Sequence, residues 1–330
     1  MRAGQADAMI SSPCWRAISA LLERTPEMKQ MGWMLTDRRA FLLTAALTVA
    51  TLPTPVAAQE AGGQDIVVTG DLPEAAEIRE ATRQAVPGRA ANLPVLRYHD
   101  PICLQVTGMD PRANRLVRDR IIRNLGEANV AVASPDCIGN AVVIVAADPA
   151  TVVTWVRANV PELLPTDALG AVEQAAGDGD AVIAWHNTEV RNASGRPIPH
   201  GGAVAGDVGV NSFAIGARVN NGARARRIGA NHASAITSAG VIFDMDALVG
   251  MDLERVADHA TMRLLAPMLD ARRWQGAEPE SVVAPFDPAQ GAERLTRFDR
   301  AFLRALYSMR PATGSSRLPA AVARAYADAE

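Results

Sequence analysis

The first sustained apolar run of the chain covers residues 40–52, from Ala40 through Phe41, Leu42 and Leu43 to Leu52. Asp37, Arg38 and Arg39 precede it, and Pro53, Thr54, Pro55 and the small residues Val56, Ala57 and Ala58 follow. A bilayer span needs roughly 20 apolar residues, so this run is too short to cross one. Its order of charge, apolar run and small residues predicts a cleavable signal peptide at about 34–58, with the working molecule starting near Gln59. Residues 1–27 do not fit the signal, and Met28, Met31 and Met34 are each candidate starts, so this stretch, including Cys14, stays out of the fold prediction.

Beyond the signal, alternation and helical spacing divide the chain. Residues 59–94 form a lead-in, with a short strand at 65–70 and a helix at 74–86 ended by Pro87 and Gly88. The main domain is expected at 95–310. It opens with a strand over 95–107, interrupted at Pro101. Asp110 caps the next helix and Pro111 fills its first position. Ala113, Val117, Ile121 and Leu125 line its inner face, and Gly126 is expected to stop it. Residues 141–147 are continuously apolar, the pattern of a strand buried on both faces. Strand, helix and strand over 102–147 therefore predict a parallel pair with a right-handed crossover. Asp148 and Pro149 open a helix through about 160.

A third strand is predicted at 181–190, with Trp185 and His186 in its middle, and a fourth at 235–244. Residues 191–230 between them are rich in Gly, Asn and Arg, with Arg224, Arg226 and Arg227 clustered, and read as a long functional flap or mobile loop. A helix at 252–268 carries Leu253, Ala257, Ala260 and Leu264 on one face. Asp258 and His259 fall off that face and are expected at the surface. Thr296 and Asp299 make a capping box before the periodic Phe298, Ala301, Phe302 and Ala305. A tail helix closes the chain at 311–330, from near Pro319. The fold class is α+β: a small mixed sheet with a βαβ unit and a helical C-terminal half.

The net charge of −3 argues against a nucleic-acid partner, which would require a basic face. Every basic residue after position 58 is arginine, a bias that composition explains without function. Cys103 and Cys137 are the two cysteines after the signal, and in an oxidising compartment they predict a disulfide. No metal site is expected from them, because no CxxC or HxxxH accompanies them.

The chain has no HExxH, GxSxG, Walker A loop or GxGxxG. Its histidines, His99, His186, His200, His232 and His259, are not spaced as ligand pairs. A catalytic site, if present, would draw on His232, Asp258 and His259 beneath the 191–230 loop. No cofactor is implied.

Several stretches resemble known groups. Arg38, Arg39, Ala40, Phe41 and Leu42 resemble a twin-arginine export motif, although Asp37 stands where that motif has Ser or Thr, and the general secretory route suits the same residues. Asp65, Ile66, Val67, Val68, Thr69 and Gly70 resemble the box of TonB-dependent receptors, but the chain lacks alternating barrel strands. The Cys103 and Cys137 surroundings, the strand ending at Asp244, the segment around Asp258 and His259, and the block from Phe298 to Tyr307 resemble exported hypothetical proteins of Gram-negative bacteria. The element order is more distantly similar to a putative-lipoprotein family with a zincin-like layout. That resemblance implies a degenerate metallopeptidase scaffold: the central helix has one histidine and lacks the zinc ligands and the water-activating base. The expectation is a periplasmic or secreted pseudoenzyme, without a transmembrane span after signal cleavage, that binds an envelope protein, a peptide or a cell-wall component. The alternative is a periplasmic hydrolase with an unrecognised site.

Overall fold

Hydrophobic runs that cannot face water on either side set the middle of the sheet. A computed structural model describes residues 73–86, 93–137, 139–198, 230–269, 279–283, 286 and 291–329. The expected signal peptide, the strand at 65–70, His200 and the arginine cluster at 224–227 lie outside the described residues.

The five strands among the described residues are β1 (Leu96–Tyr98), β2 (Leu104–Thr107), β3 (Ala141–Ala146), β4 (Val182–Asn192) and β5 (His232–Asp244). Every residue of β3 is buried, as its unbroken apolar sequence requires. β5 is the longest strand and carries three neighbours. β4 runs antiparallel along one edge. On the other edge β1 pairs in parallel with Ser234–Ile236 and β3 with residues 239–244. β2 then pairs in parallel with β3. The strand–helix–strand pairing expected over 102–147 is thus parallel, and the expected interruption of the first strand separates β1 from β2. This is an α+β fold with a mostly parallel sheet and a helical C-terminal half.

The helices are α1 (Ala75–Ala85), α2 (Pro111–Glu127), α3 (Pro149–Asn159), α4 (Leu169–Gly177), α5 (Leu253–Leu265), α6 (Arg297–Ser308) and α7 (Leu318–Ala327). Local capping chemistry explains several boundaries. The Asp110 carboxylate accepts the Arg112 and Ala113 amides, and Asp148 does the same for Ala150 and Thr151. Helix α2 does not stop at Gly126. It ends in a Schellman turn, with Asn129 at φ 56°, Val130 N donating to Leu125 O and Asn129 N donating to Gly126 O. Helix α5 ends at Leu265 rather than 268 because Pro267 disfavours a helical conformation at Ala266. Helix α4 is absent from the sequence prediction. It contains Gly170, ends at Gly177 and has no side-chain cap, so its local signal is weak.

Helices α3 and α4 cover one face of the sheet, and α2 and α5 the other, while α6 and α7 pack beyond α5 with α1. Arg97 on β1 ties the last group to the sheet by donating to the Leu306 and Met309 carbonyls at the end of α6. Gly240 lies opposite Trp185 in the β4–β5 ladder, and a Cβ there would stand 2.1 Å from the indole. The glycine therefore lets the ring cross the strand. Cys103 and Cys137 form a disulfide with a Cα separation of 5.9 Å, joining the start of β2 to the loop before β3. No helix among the described residues is long and apolar enough to cross a membrane.

Candidate functional site

The outer edge of β4 borders a cavity of about 860 Å³. Asp180, Ala181, Val182, Ile183, Ala184, Trp185 and His186 line it in unbroken succession. Successive strand residues point to opposite faces, so one cavity can touch all of Val182 to His186 on β4 only by running along the strand's edge. Among the described residues no strand pairs with that edge.

The ladder shows which backbone groups face the cavity. Asp244 N donates to Ala181 O, which makes residues 181 and 244 a hydrogen-bonded pair. The registers of 183 with 242 and 185 with 240 continue the alternation. Val182, Ala184 and His186 are the intervening positions, so their N–H and C=O groups point away from β5. The small residues Ala171 and Ala175 of α4 border the cavity on one side. His259 and Arg263, one turn apart on α5, border it on the other, with Phe286 and Val283.

Both histidines of the cavity are held by backbone carbonyls. His186 Nε2 lies 3.2 Å from Leu264 O, and His259 Nδ1 lies 3.1 Å from Val282 O. A carbonyl oxygen only accepts, so each of these ring nitrogens carries the proton. Burial pushes the His259 pKa down to about 3, helped by the nearby Arg263 charge, and burial brings His186 down to about 4. His186 keeps part of its surface on the cavity wall, yet the surrounding protein is dense enough to disfavour its cation. Both rings are neutral at pH 7. His259 Nε2 is buried and has no hydrogen-bond partner.

The Val282 carbonyl is itself fixed. Val282 N donates to the Asp299 carboxylate at 2.9 Å, and Ser281 Oγ donates to the same group at 2.5 Å. Asp299 closes the α6 capping box with Thr296 as well. Its complete burial raises its pKa, against the opposing pull of these donors.

The expected surface position of Asp258 and His259 is incorrect. Asp258 is 0 % and His259 3 % exposed. Helix α5 is enclosed by α2, α6, β4 and β5, so side chains off its apolar stripe are buried too. The two residues do project to different partners. Asp258 accepts Arg120 Nε at 2.7 Å and Nη2 at 2.8 Å, Asn124 Nδ2 at 2.7 Å and Leu295 N at 2.9 Å. His259 packs edge-on between Phe243 and Phe286.

His232 does not join His259. It begins β5, whereas His259 packs on Phe243, eleven residues along that strand, about 35 Å at strand rise. His99 belongs to another cluster. Its Nε2 meets Ser234 O at 3.2 Å, and its pKa falls to about 4 through burial and the Arg97 charge. Arg191, beside it, pairs with Asp100 and Glu189. The 191–230 loop is described only to 198 and from 230. No group of three or more His, Cys, Asp or Glu among the described residues could hold a metal ion. The sequence reading missed the β4 edge and α4. The strand at 181–190 was predicted, but its mixed pattern carries no signal that marks it as an edge.

The fold and cavity together define an α+β domain with a groove along an antiparallel edge strand. No family model matches the sequence, and no curated protein or solved structure matches it.

Proposed function

We propose that this chain is an exported, non-catalytic binding protein that takes an extended peptide as an added strand on β4. The observation behind this reading is the cavity along five consecutive residues of β4, Val182 to His186, on an edge that no strand among the described residues pairs with. Main-chain donors and acceptors at Val182, Ala184 and His186 supply affinity, and the flanking helices supply side-chain pockets. The scaffold is read as a degenerate zincin-like one whose central helix carries Asp258 and His259 instead of a zinc-binding pair. Asp258 has all its hydrogen-bonding capacity committed to Arg120, Asn124 and Leu295, which suits a retired catalytic helix. The signal-like segment at 34–58 and the Cys103–Cys137 disulfide support a periplasmic or secreted setting. The hydrolase alternative retains only His259 of its three candidate residues at the cavity.

Selection of displayed peptides on the purified chain tests the reading, with Ala184→Pro as the control. The Ala184 amide faces outward, so proline removes a docking donor without breaking the β5 ladder. Selected peptides should bind the parent chain and lose at least about tenfold in affinity to A184P, the loss expected for one good hydrogen bond. Peptides that bind both proteins equally would contradict edge docking.

A further inference from the structure

Among the described residues, His259 lines the cavity with a ring nitrogen, Nε2, that is buried without a hydrogen-bond partner, while its other ring nitrogen is committed. Its Nδ1–H is spent on Val282 O at 3.1 Å. That carbonyl belongs to a peptide whose N–H is held by Asp299 at 2.9 Å, and Ser281 Oγ braces the same carboxylate. The chain from Asp299 through Val282 to His259 therefore fixes the ring's rotation and its tautomer. What remains is a lone pair at Nε2 that can only accept.

We propose that His259 Nε2 is the polar anchor of the cavity and takes the N–H or O–H of a neutral ligand group, an amide or a hydroxyl, in preference to a carboxylate. Leaving a buried acceptor unpaired is unfavourable, and a donor from the ligand removes that penalty. A carboxylate offers Nε2 only oxygen lone pairs. The ring does not become a donor near pH 7, since its pKa is held at about 3. Nε2 meets no solvent in the free protein. The partly exposed Phe286 ring stands edge-on to the imidazole at 4.6 Å and borders the same cavity, so the ligand donor reaches Nε2 by displacing that ring. Asp299 and Ser281 act as positioning residues, since neither borders the cavity.

This inference rests on the cavity as a binding site but not on a peptide as its occupant. Histidine-labelled nitrogen NMR on the full chain tests it with two small probes, acetamide and acetate. In the free protein His259 should carry its proton on Nδ1, the less common tautomer. Acetamide should shift the His259 Nε2 resonance, and acetate should leave it in place. His259→Phe, which keeps an aromatic ring between Phe243 and Phe286, should weaken binding of any selected peptide about tenfold without lowering the unfolding midpoint by more than a minor amount. A proton on Nε2, an unmoved Nε2 under acetamide, or an equal response to acetate would overturn the inference. If acetamide shifts Nε2 and no peptide binds, only the peptide reading fails. If peptides bind H259F as tightly as the parent, only this inference fails.

Discussion

Asp258 and His259 are adjacent on one helix and equally removed from water, yet the fold treats them in opposite ways. Asp258 receives four hydrogen bonds, two of them from Arg120. His259 receives one good partner for Nδ1 and none for Nε2. Burial alone therefore does not separate a structural polar group from a recognition group. In this pair the number of committed atoms does, because an unpaired buried atom persists only at a cost that something else must offset.

The largest expected effect falls on the saturated side. Asp258→Ala leaves the Arg120 guanidinium and Asn124 amide without their shared acceptor, and breaking one partner of a buried ion pair removes about 3–5 kcal/mol. Urea unfolding should show that loss, whereas a change below about 1 kcal/mol would deny the network its structural role. The disulfide comes next. Replacing Cys103 and Cys137 by serine should lower stability by about 3–4 kcal/mol, the value expected for a closed loop of this size, again read by urea unfolding.

Acid sharpens the contrast on the His259 side. Its folded pKa, about 3, and that of His186, about 4, lie below the unfolded value of 6.5. Between those limits the unfolded chain binds more protons, so stability is full above pH 6.5 and declines as pH falls toward the folded values. Each histidine contributes a slope of about 1.4 kcal/mol per pH unit within its window. In H259F that part of the slope should vanish, as unfolding curves from pH 6.5 to 4.5 will reveal. The smallest effect is on H259F at neutral pH. It removes one hydrogen bond together with one unsatisfied acceptor, so stability should change by less than about 1.5 kcal/mol. A loss as large as that of D258A would erase the distinction between the two residues.

Local chemistry was readable in the chain. The Asp110–Pro111, Asp148–Pro149 and Thr296–Asp299 pairs announce the starts of α2, α3 and α6, because a cap acts within one turn. The continuous apolar run of β3 announced a strand buried on both faces. The candidate site was legible only in part. His259 could be named, but the partners that distinguish it from Asp258 come from Arg120, Asn124 and Val282, and the first two lie more than a hundred residues away. The apolar stripe of α5 suggested one buried face, whereas packing against α2, α6 and the sheet buries the remainder. Helix α4 was hidden by Gly170 and by its missing cap. The edge position of β4 follows from strand order, which depends on pairings between distant segments.

The open edge of β4 is the central claim, and amide hydrogen exchange at Val182, Ala184 and His186 tests it most directly. In the free protein these three amides should exchange much faster than those of Ile183 and Trp185, which bond to β5, and a bound peptide should slow them. Amides at 182, 184 and 186 that are already protected without a ligand, or that stay fast when a peptide is bound, would contradict the account.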